Sequence, residues 1–344
     1  MTTQTTTENR TDVRGPGEIL QLTMAFYGSR ALISAVELDV FTLLAEKPMN
    51  AEELCGAAGI HPRGAADFLD ALVSLGLLGR EDGVYRNSPE ADRYLDRRKP
   101  GYVGGYARLA DTKLFPVWQN LTEALRTGTK QVPSRGSFFG GYDDPEAARG
   151  FLGAMDAVNS GVARSLAEVV DWARYGSFAD LGGARGNLAA TLRRAHPHLT
   201  ATCFDLPQME PFFREHLDAL GMAGQVDFAA GDFFRDELPR TDVFVIGHIL
   251  HYFDAGQRRD LLARVFEALN PGGAVLVYDR MIDDERKGAP LSLLGSLNML
   301  LTSDGGREYT PSECREWLAA AGFTEVDTVP VSRPDTLAIG RKPR

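Results

Sequence analysis

Cysteine is scarce in this chain. Cys55, Cys203 and Cys314 are the only three in 344 residues, an odd number at wide spacing, so neither a disulfide framework nor a zinc site is indicated. A reducing, cytoplasmic setting is expected. Positive charge is also in deficit: 37 Lys and Arg stand against 47 Asp and Glu, a formal charge of −10. Neutralising phosphates takes a basic surplus, so no nucleic-acid partner and no anionic membrane is expected. Long apolar runs are lacking, for none is seen to approach the roughly 20 residues of a membrane span. The opening residues MTTQTTTENRTD are polar and Thr-rich with no apolar core of a signal segment, and residues 1–16 read as a disordered tail.

What is present is enough apolar content, 44%, for a real core, in a chain long enough for two domains. From Ile19 to Leu44 apolar residues recur at three and four, predicting amphipathic helices with a break near Gly28. The stretch is more apolar than a lone surface helix needs, which points either to a partner subunit covering it or to packing on its own domain. A short helix from Ala51, a turn at Gly59 to Pro62, a second helix to Leu75 and a hairpin turning at Asp82-Gly83 follow, the order of a winged helix-turn-helix. Its second helix carries Asp67 and Asp70 and no basic residue after Arg63, which would repel DNA, so a structural or dimerisation role is expected over residues 17–100. The Arg97-Arg98-Lys99 run reads as a solvated loop. Residues 101–172 are helical and aromatic-rich, with a glycine-rich loop SRGSFFGGY able to fold over a ligand. Met155 and Asn159, four apart, share a helix face suited to a flat apolar pocket.

Strands and helices alternate across residues 173–344: FADL, NLAATLRRA, TCFDL, the helix from Met209 to Leu220, VDFAAGDFF, VFVIGHIL, RRDLLARVFEAL and AVLVYD. Two helices, LSLLGSLNMLL and PSECREWLAAAGF, then lead to two closing segments, EVDTVPV and TLAIGRK. This predicts an α/β class, a Rossmann-like doubly wound and mostly parallel sheet that binds ligands at the carboxyl ends of its strands. The stretch SFADLGGARG ends its strand in glycines at 182, 183 and 186, where backbone can pass close to a ligand. It misses the dinucleotide fingerprint, having Ala184 and Asn187 at the second and third glycine positions, and suits a nucleoside without pyrophosphate.

Asp205 ends the next apolar run and can accept hydrogen bonds from ribose hydroxyls. Asp232, in GDFF, can accept from an amine or water near the base on which Phe233 stacks; each aspartate could equally be a turn former. His251 ends the fourth strand, and Asp279 and Glu308 can approach it from neighbouring segments, the pattern of a general base with orienting carboxylates. His248 is expected to point elsewhere and to serve packing or backbone contacts. His196 and His198 lack a ligand cluster, so no metal is expected.

In this order DLGGARG, FDLP, GDFF, GHILHYFD, the acidic residue after the fifth strand and GGREYT resemble the S-adenosylmethionine-dependent O-methyltransferases of the plant caffeate and bacterial antibiotic-tailoring type, over nearly the whole chain from about Ile19. The resemblance implies a homodimer, S-adenosylmethionine as cofactor, no metal, His251 as base, and Asp279 and Glu308 as its orienting groups. The candidate cofactor residues are Gly182, Asp205, Leu206, Asp232, Phe233 and Gly247. The candidate acceptor residues are Met155, Asn159, Tyr252, Asn298 and Met299. Three positions depart from the family's pattern: Tyr252-Phe253 replaces Asp-Trp after the histidine, Gly247 replaces a lysine, and Ala184-Arg185 replaces Gly-Thr or similar. The expected reaction is methylation of a phenolic hydroxyl on an aromatic, polycyclic acceptor. A non-methylating enzyme of the same fold and a winged-helix regulator remain as alternatives.

Overall fold

The computed structural model describes residues 15–99, 101–132, 145–332 and 334–344. The chain divides into two compact units, the first ending at Arg108 and the second beginning at Leu109.

The first unit opens with α1 (Pro16–Met24) and α2 (Phe26–Glu37), which run on through Ala25 because that residue is itself helical, at φ −57° and ψ −26°. The expected break near Gly28 is absent. A Cβ on Gly28 would stand at ordinary contact distance, 3.6 Å, from Leu75, and the chain turns instead at Asp39, with φ 55°. Together α1 and α2 make 22 residues long and apolar enough, by length and composition, to cross a membrane, contrary to the sequence expectation. Only Ile33, Ala35 and Val36 of them are buried, while Leu22 is 71% and Phe26 53% exposed.

Next come α3 (Val40–Glu46), β1 (Met49–Asn50), α4 (Ala51–Ala58), α5 (Pro62–Ser74), β2 (Leu78–Glu81), β3 (Val84–Asn87) and α6 (Pro89–Leu95). The winged-helix order is present, with a three-stranded sheet β1-β3-β2. A reciprocal Asn50–Glu53 capping box starts α4. Positive φ at both Asp82 and Gly83 gives the hairpin the primed turn that matches strand twist. Asp70 is held by Arg80 at 2.5 Å and by the Tyr85 hydroxyl at 2.8 Å. The basic run is also spent internally: Arg97 pairs with Asp39, Arg98 with Asp96 and Glu46, and Lys99 with Asp92.

α7 (Gly104–Leu109) crosses the boundary and continues into a π-helical turn at Ala110–Leu114. α8 (Phe115–Trp118), α9 (Leu121–Thr127) and the long α10 (Pro145–Val169) follow. The loop SRGSFFGGY lies outside the described residues. Then come β4 (Ser177–Leu181), α11 (Asn187–Ala195), β5 (Thr200–Asp205), α12 (Glu210–Ala219), β6 (Asp227–Ala230), β7 (Thr241–Gly247), α13 (Ala255–Ala268), β8 (Leu269–Asp279), α14 (Pro290–Thr302), α15 (Pro311–Ala320), β9 (Thr324–Pro330) and β10 (Thr336–Arg341).

The seven strands lie in the order β6-β5-β4-β7-β8-β10-β9, parallel except for β9 and β10. Strand order reverses between β4 and β7, the crevice where such sheets bind ligands. Both faces are buried, one around Trp172, Phe178 and Val245, the other around Phe244, Leu262 and Val277. This is why the central strands read as continuous apolar runs.

Candidate active site

At the carboxyl end of β4 the glycine loop is shaped by collision. A Cβ on Gly182, which has φ +70°, would lie 2.6 Å from the Ile249 side chain; on Gly183 it would meet Cys203 Sγ at 2.7 Å and Asp180 Oδ2 at 2.8 Å; on Gly186 it would meet the Phe213 ring at 2.6 Å. The Asp205 carboxylate is folded under the loop and accepts from the backbone N–H groups of Ala184 and Leu206, each at 2.7 Å. Burial pushes its pKa up, and those two N–H groups pull back. Each oxygen has accepted one bond and keeps a lone pair for a ribose hydroxyl. Asp180, fully buried beneath the loop, is pushed up to about 7 by burial and then by the charge of Asp205.

Asp232 accepts from the Phe234 N–H at 2.9 Å, and the Phe233 ring meets Phe253 edge-on at 5.9 Å. Leu206 is exposed at the same strand end. Gly247 has a packing reason of its own, because the Tyr278 ring occupies the space a Cβ would need. The cradle therefore fits a nucleoside: close backbone, a carboxylate with free lone pairs, and an aromatic ring nearby.

His251 sits in a 3-10 turn, Leu250–Tyr252, after β7. Its Nδ1 lies 2.9 Å from Asp279 Oδ1 and 3.1 Å from Glu308 Oε1, and all three side chains are buried. Asp279 arrives because β8 ends there. Glu308 arrives because Gly305 and Gly306 press against the turn: a Cβ on Gly305 would lie 2.8 Å from Asp254 Cβ, and one on Gly306 would run into the His251 carbonyl oxygen. Two residues further on, the Glu308 N–H donates to Ser296 Oγ at 3.2 Å, which fixes its approach. Arg258, 1% exposed, clamps both segments by donating to the carbonyls of Leu250 at 2.8 Å and Arg307 at 2.6 Å, with its guanidinium over Tyr309 and Trp317. The Tyr309 hydroxyl donates to the other oxygen of Asp279 at 2.6 Å.

Burial alone would strip the His251 ring of its proton, but the Asp279 and Glu308 carboxylates outweigh it and raise the pKa to about 10. The same contact, and His248 beside it, hold Asp279 well below the usual carboxylate range against its own burial. With both carboxylates on Nδ1, the ring's Nε2 is left with no hydrogen-bond partner among the described residues. Where the ring is neutral, Nε2 is a buried nitrogen with an open lone pair backed by two anions, and it can take a proton from a bound hydroxyl.

The structure thus brings together His251, Asp279 and Glu308. It also gathers Gly182, Asp205, Leu206 and Phe233 around the glycine loop. Tyr252 packs edge-on against the His251 ring at 4.5 Å. Asn298 lies on α14 one turn beyond Gly295, whose Cβ position is 3.4 Å from Glu308 Oε1. Its Oδ1 accepts from Trp118 Nε1 at 3.0 Å. Met299 is buried, and Met155 and Asn159 are half-buried on α10, where the Asn159 Oδ1 is buried without a partner among the described residues. No direct contact joins Met155 or Asn159 to His251 among the described interactions.

His248 corrects the sequence reading. Its backbone N–H does donate to Tyr278 and its ring does pack on Tyr278, but its two ring nitrogens face Asp279 Oδ1 at 3.3 Å and Asp335 Oδ1 at 3.4 Å. Its φ of +52°, unusual outside glycine, aims the ring at the carboxylates. Arg258, Tyr309, Asp335 and Trp118 were also missed. Arg258 and Tyr309 stand inside or beside quoted motifs, and adjacency was the only available signal. Arg185, at the family's Gly-Thr position, pairs with Asp156 of α10.

Comparison with known proteins agrees with this geometry. A model of the O-methyltransferase domain matches residues 118–324, and one of the O-methyltransferase dimerisation domain matches residues 20–97. The chain is 76% identical to the tetracenomycin polyketide synthesis 8-O-methyl transferase TcmO of Streptomyces glaucescens, over 97% of this chain and 99% of that protein. It is 42% identical to the N,N-dimethyltransferase OxyT of Streptomyces rimosus, over 89% and 90%. The crystal structure of human N-acetylserotonin methyltransferase in complex with SAM superposes with a TM-score of 0.89 at 29% identity, covering 98% of this chain and all of that one. A chain with this glycine loop, this buried histidine and these matches belongs to the S-adenosylmethionine-dependent O-methyltransferase family.

Proposed function

We propose that the chain methylates a phenolic hydroxyl of a polycyclic aromatic polyketide, with His251 as general base and Asp279 and Glu308 as its orienting groups. The observation that carries this is the placing of two buried carboxylates on one nitrogen of His251, which leaves Nε2 for the acceptor. Similarity to TcmO supports the acceptor class. Bound at the glycine loop, S-adenosylmethionine supplies an electrophilic methyl on a positively charged sulfur. Gly182, Asp205, Leu206, Asp232 and Phe233 are proposed to hold it, with Gly247 giving room at the end of β7. Met155, Asn159, Tyr252, Asn298 and Met299 are proposed to line the acceptor pocket. The Asn298 carbonyl is engaged by Trp118, which leaves the amide N–H groups as the donors it can offer a ligand.

The work of the protein is then positioning and proton control. A phenol has a pKa of about 10, and the cluster holds the His251 proton at about the same strength. A proton passed between groups of matched affinity moves at little cost, and the two anions stabilise the imidazolium that results. The reading includes a homodimer, supported by the match to a dimerisation domain and by the exposed apolar face of α1 and α2. A cytoplasmic location is inferred from three cysteines that are free and buried.

The test is incubation with S-adenosylmethionine and a panel of polycyclic phenols and amines, read by mass spectrometry, for wild type and His251→Ala. A gain of one methyl on a phenol is expected, falling by about 10²- to 10⁴-fold in the variant while calorimetric binding of S-adenosylmethionine is kept. Turnover near the wild-type rate in the variant would refute the base, and methyl gain on amines alone would refute the acceptor class.

A further inference from the structure

The glycine loop carries two residues, Ala184 and Arg185, that a cradle of close backbone does not call for. Ala184 stands at φ 50°, a left-handed conformation that a residue with a Cβ keeps only where its surroundings hold it. Its N–H donates to Asp205 at 2.7 Å, and its methyl packs into the apolar cluster that contains Leu152 of α10 and Phe212 of α12. The next side chain crosses to α10: Arg185 Nε donates to Asp156 Oδ2, and a Cβ on Gly153 would stand 3.6 Å from Arg185 Nη2. Asn187 Oδ1 lies 3.2 Å from His216 Nε2 of α12, and that nitrogen lies 3.5 Å from the same Asp156 oxygen. Residues 184, 185 and 187 thus reach in turn the carboxylate proposed for the ribose, the helix proposed to line the acceptor pocket, and α12.

Burial pushes the Asp156 carboxyl up to about 6 while Arg185 pulls it back, so the group is charged above neutrality. Burial, and then the charge of Arg185, pushes His216 down to about 4. That ring is therefore neutral, and Arg185 is the cation that answers Asp156. The two side chains are 22% and 18% exposed, so removing one leaves the other poorly solvated. Asp156 directly follows Met155 and precedes Asn159 by less than one helical turn.

We propose that the Arg185–Asp156 ion pair is a positioning pair that couples the two halves of the site, holding the glycine loop in the shape that takes S-adenosylmethionine and α10 where Met155 and Asn159 meet the acceptor. A change on α10 is thereby felt by the cofactor, and a change in the loop by the acceptor.

This rests on the reading of the loop and of α10 given above, so the first readout is cofactor binding without acceptor. Calorimetry at about pH 7.5, where Asp156 is charged, gives the Kd of S-adenosylmethionine for wild type, Asp156→Ala, Arg185→Met, the double variant and Arg185→Lys. KM and kcat follow, with saturating cofactor and the polycyclic phenol that gains a methyl. In Asp156→Ala the cofactor Kd is expected to rise about three- to tenfold, between the effects of an exposed and a buried pair. In Arg185→Met the acceptor KM should rise by a similar factor, while kcat with both substrates saturating changes by no more than about twofold. The double variant should be no weaker than the weaker single one, because each loss acts through the other. Arg185→Lys, which keeps the charge, should recover most of the loss. Asp156→Asn carries the same test at smaller amplitude should Asp156→Ala not fold. Independent packing losses would multiply in the double variant, and that outcome would overturn the coupling, as would an unchanged cofactor Kd in Asp156→Ala. A wild type that binds no S-adenosylmethionine would overturn the reading of the loop and the coupling with it.

Discussion

Glu308→Gln is the sharpest probe of the base, because it deletes one charge and almost no volume. Glu308 Oε1 lies 3.1 Å from His251 Nδ1 in a buried site. Taking charge centres about 4 Å apart and an effective dielectric of about 20, the interaction is about 4 kcal/mol, or roughly 3 pH units at 1.36 kcal/mol each. The amide oxygen still accepts from Nδ1–H, so part of this survives and a fall of 1–2 units is expected. The sign is fixed: His251 is raised to about 10 by the two carboxylates against its burial, so losing one lowers it. At neutral pH the wild-type ring already carries its proton, and only a fraction of about 10⁻³ is neutral and able to accept another. Wild-type kcat/KM should therefore climb from pH 7 toward the pKa of the phenol.

In Glu308→Gln the acidic limb should appear 1–2 units lower, and the ratio of variant to wild-type kcat/KM should rise by roughly two- to ninefold between pH 9 and pH 7. The weaker base lowers the plateau at the same time. The assay is kcat/KM for the acceptor at saturating S-adenosylmethionine from pH 6.5 to 10.5, with product measured by mass spectrometry. Glu308 Oε2 is buried without a partner among the described residues, so the amide nitrogen placed there costs about 1–3 kcal/mol of stability, seen as a lower Tm but not as a shifted limb. A limb that stays put, or moves alkaline, would refute the assignment of Glu308's charge to His251. The same linkage acts on folding. A raised His251 contributes stability that is full below its unfolded pKa of about 6.5 and is lost as pH rises toward 10.

Two further outcomes follow from the packing. Gly306→Ala puts a Cβ into the His251 carbonyl and Ser303 Oγ, so the loop carrying Glu308 must shift; kcat should fall more than tenfold, with a Tm lower by a few degrees, and unchanged turnover would show that the close approach is dispensable. Leu22→Asp with Phe26→Asp places charge on the exposed face of α1 and α2; size-exclusion chromatography with light scattering should show a dimer for wild type and a monomer for the variant, and an unchanged dimer would move the interface elsewhere.

Much of the site was legible because an open parallel sheet delivers its chemistry to one edge. Asp205, His251 and Asp279 each end an apolar run, and apolar runs can be found by eye. Glu308 was legible for a different reason, the two glycines before it, which mark backbone pressed against something. The helices of the second unit were legible from their apolar periodicity, but the start of α13 was read three residues late, because the Asp254–Gln257 capping box that sets it at Ala255 was not used. The break expected near Gly28 failed because glycine was read as punctuation, whereas it lies in a helix interior against Leu75. His248 was misjudged because periodicity places a residue on an element but does not give its φ, and at +52° the ring turns toward the carboxylates. Asp335 shows the deeper limit. It stands at the start of a strand, where a search along carboxyl ends never looks. β10 runs antiparallel to β8, so its first residue meets the last of β8. The beginning of one strand and the end of another thereby share an edge of the sheet, and the third carboxylate near the two histidines comes from the part of the chain that motif order ranks as remote.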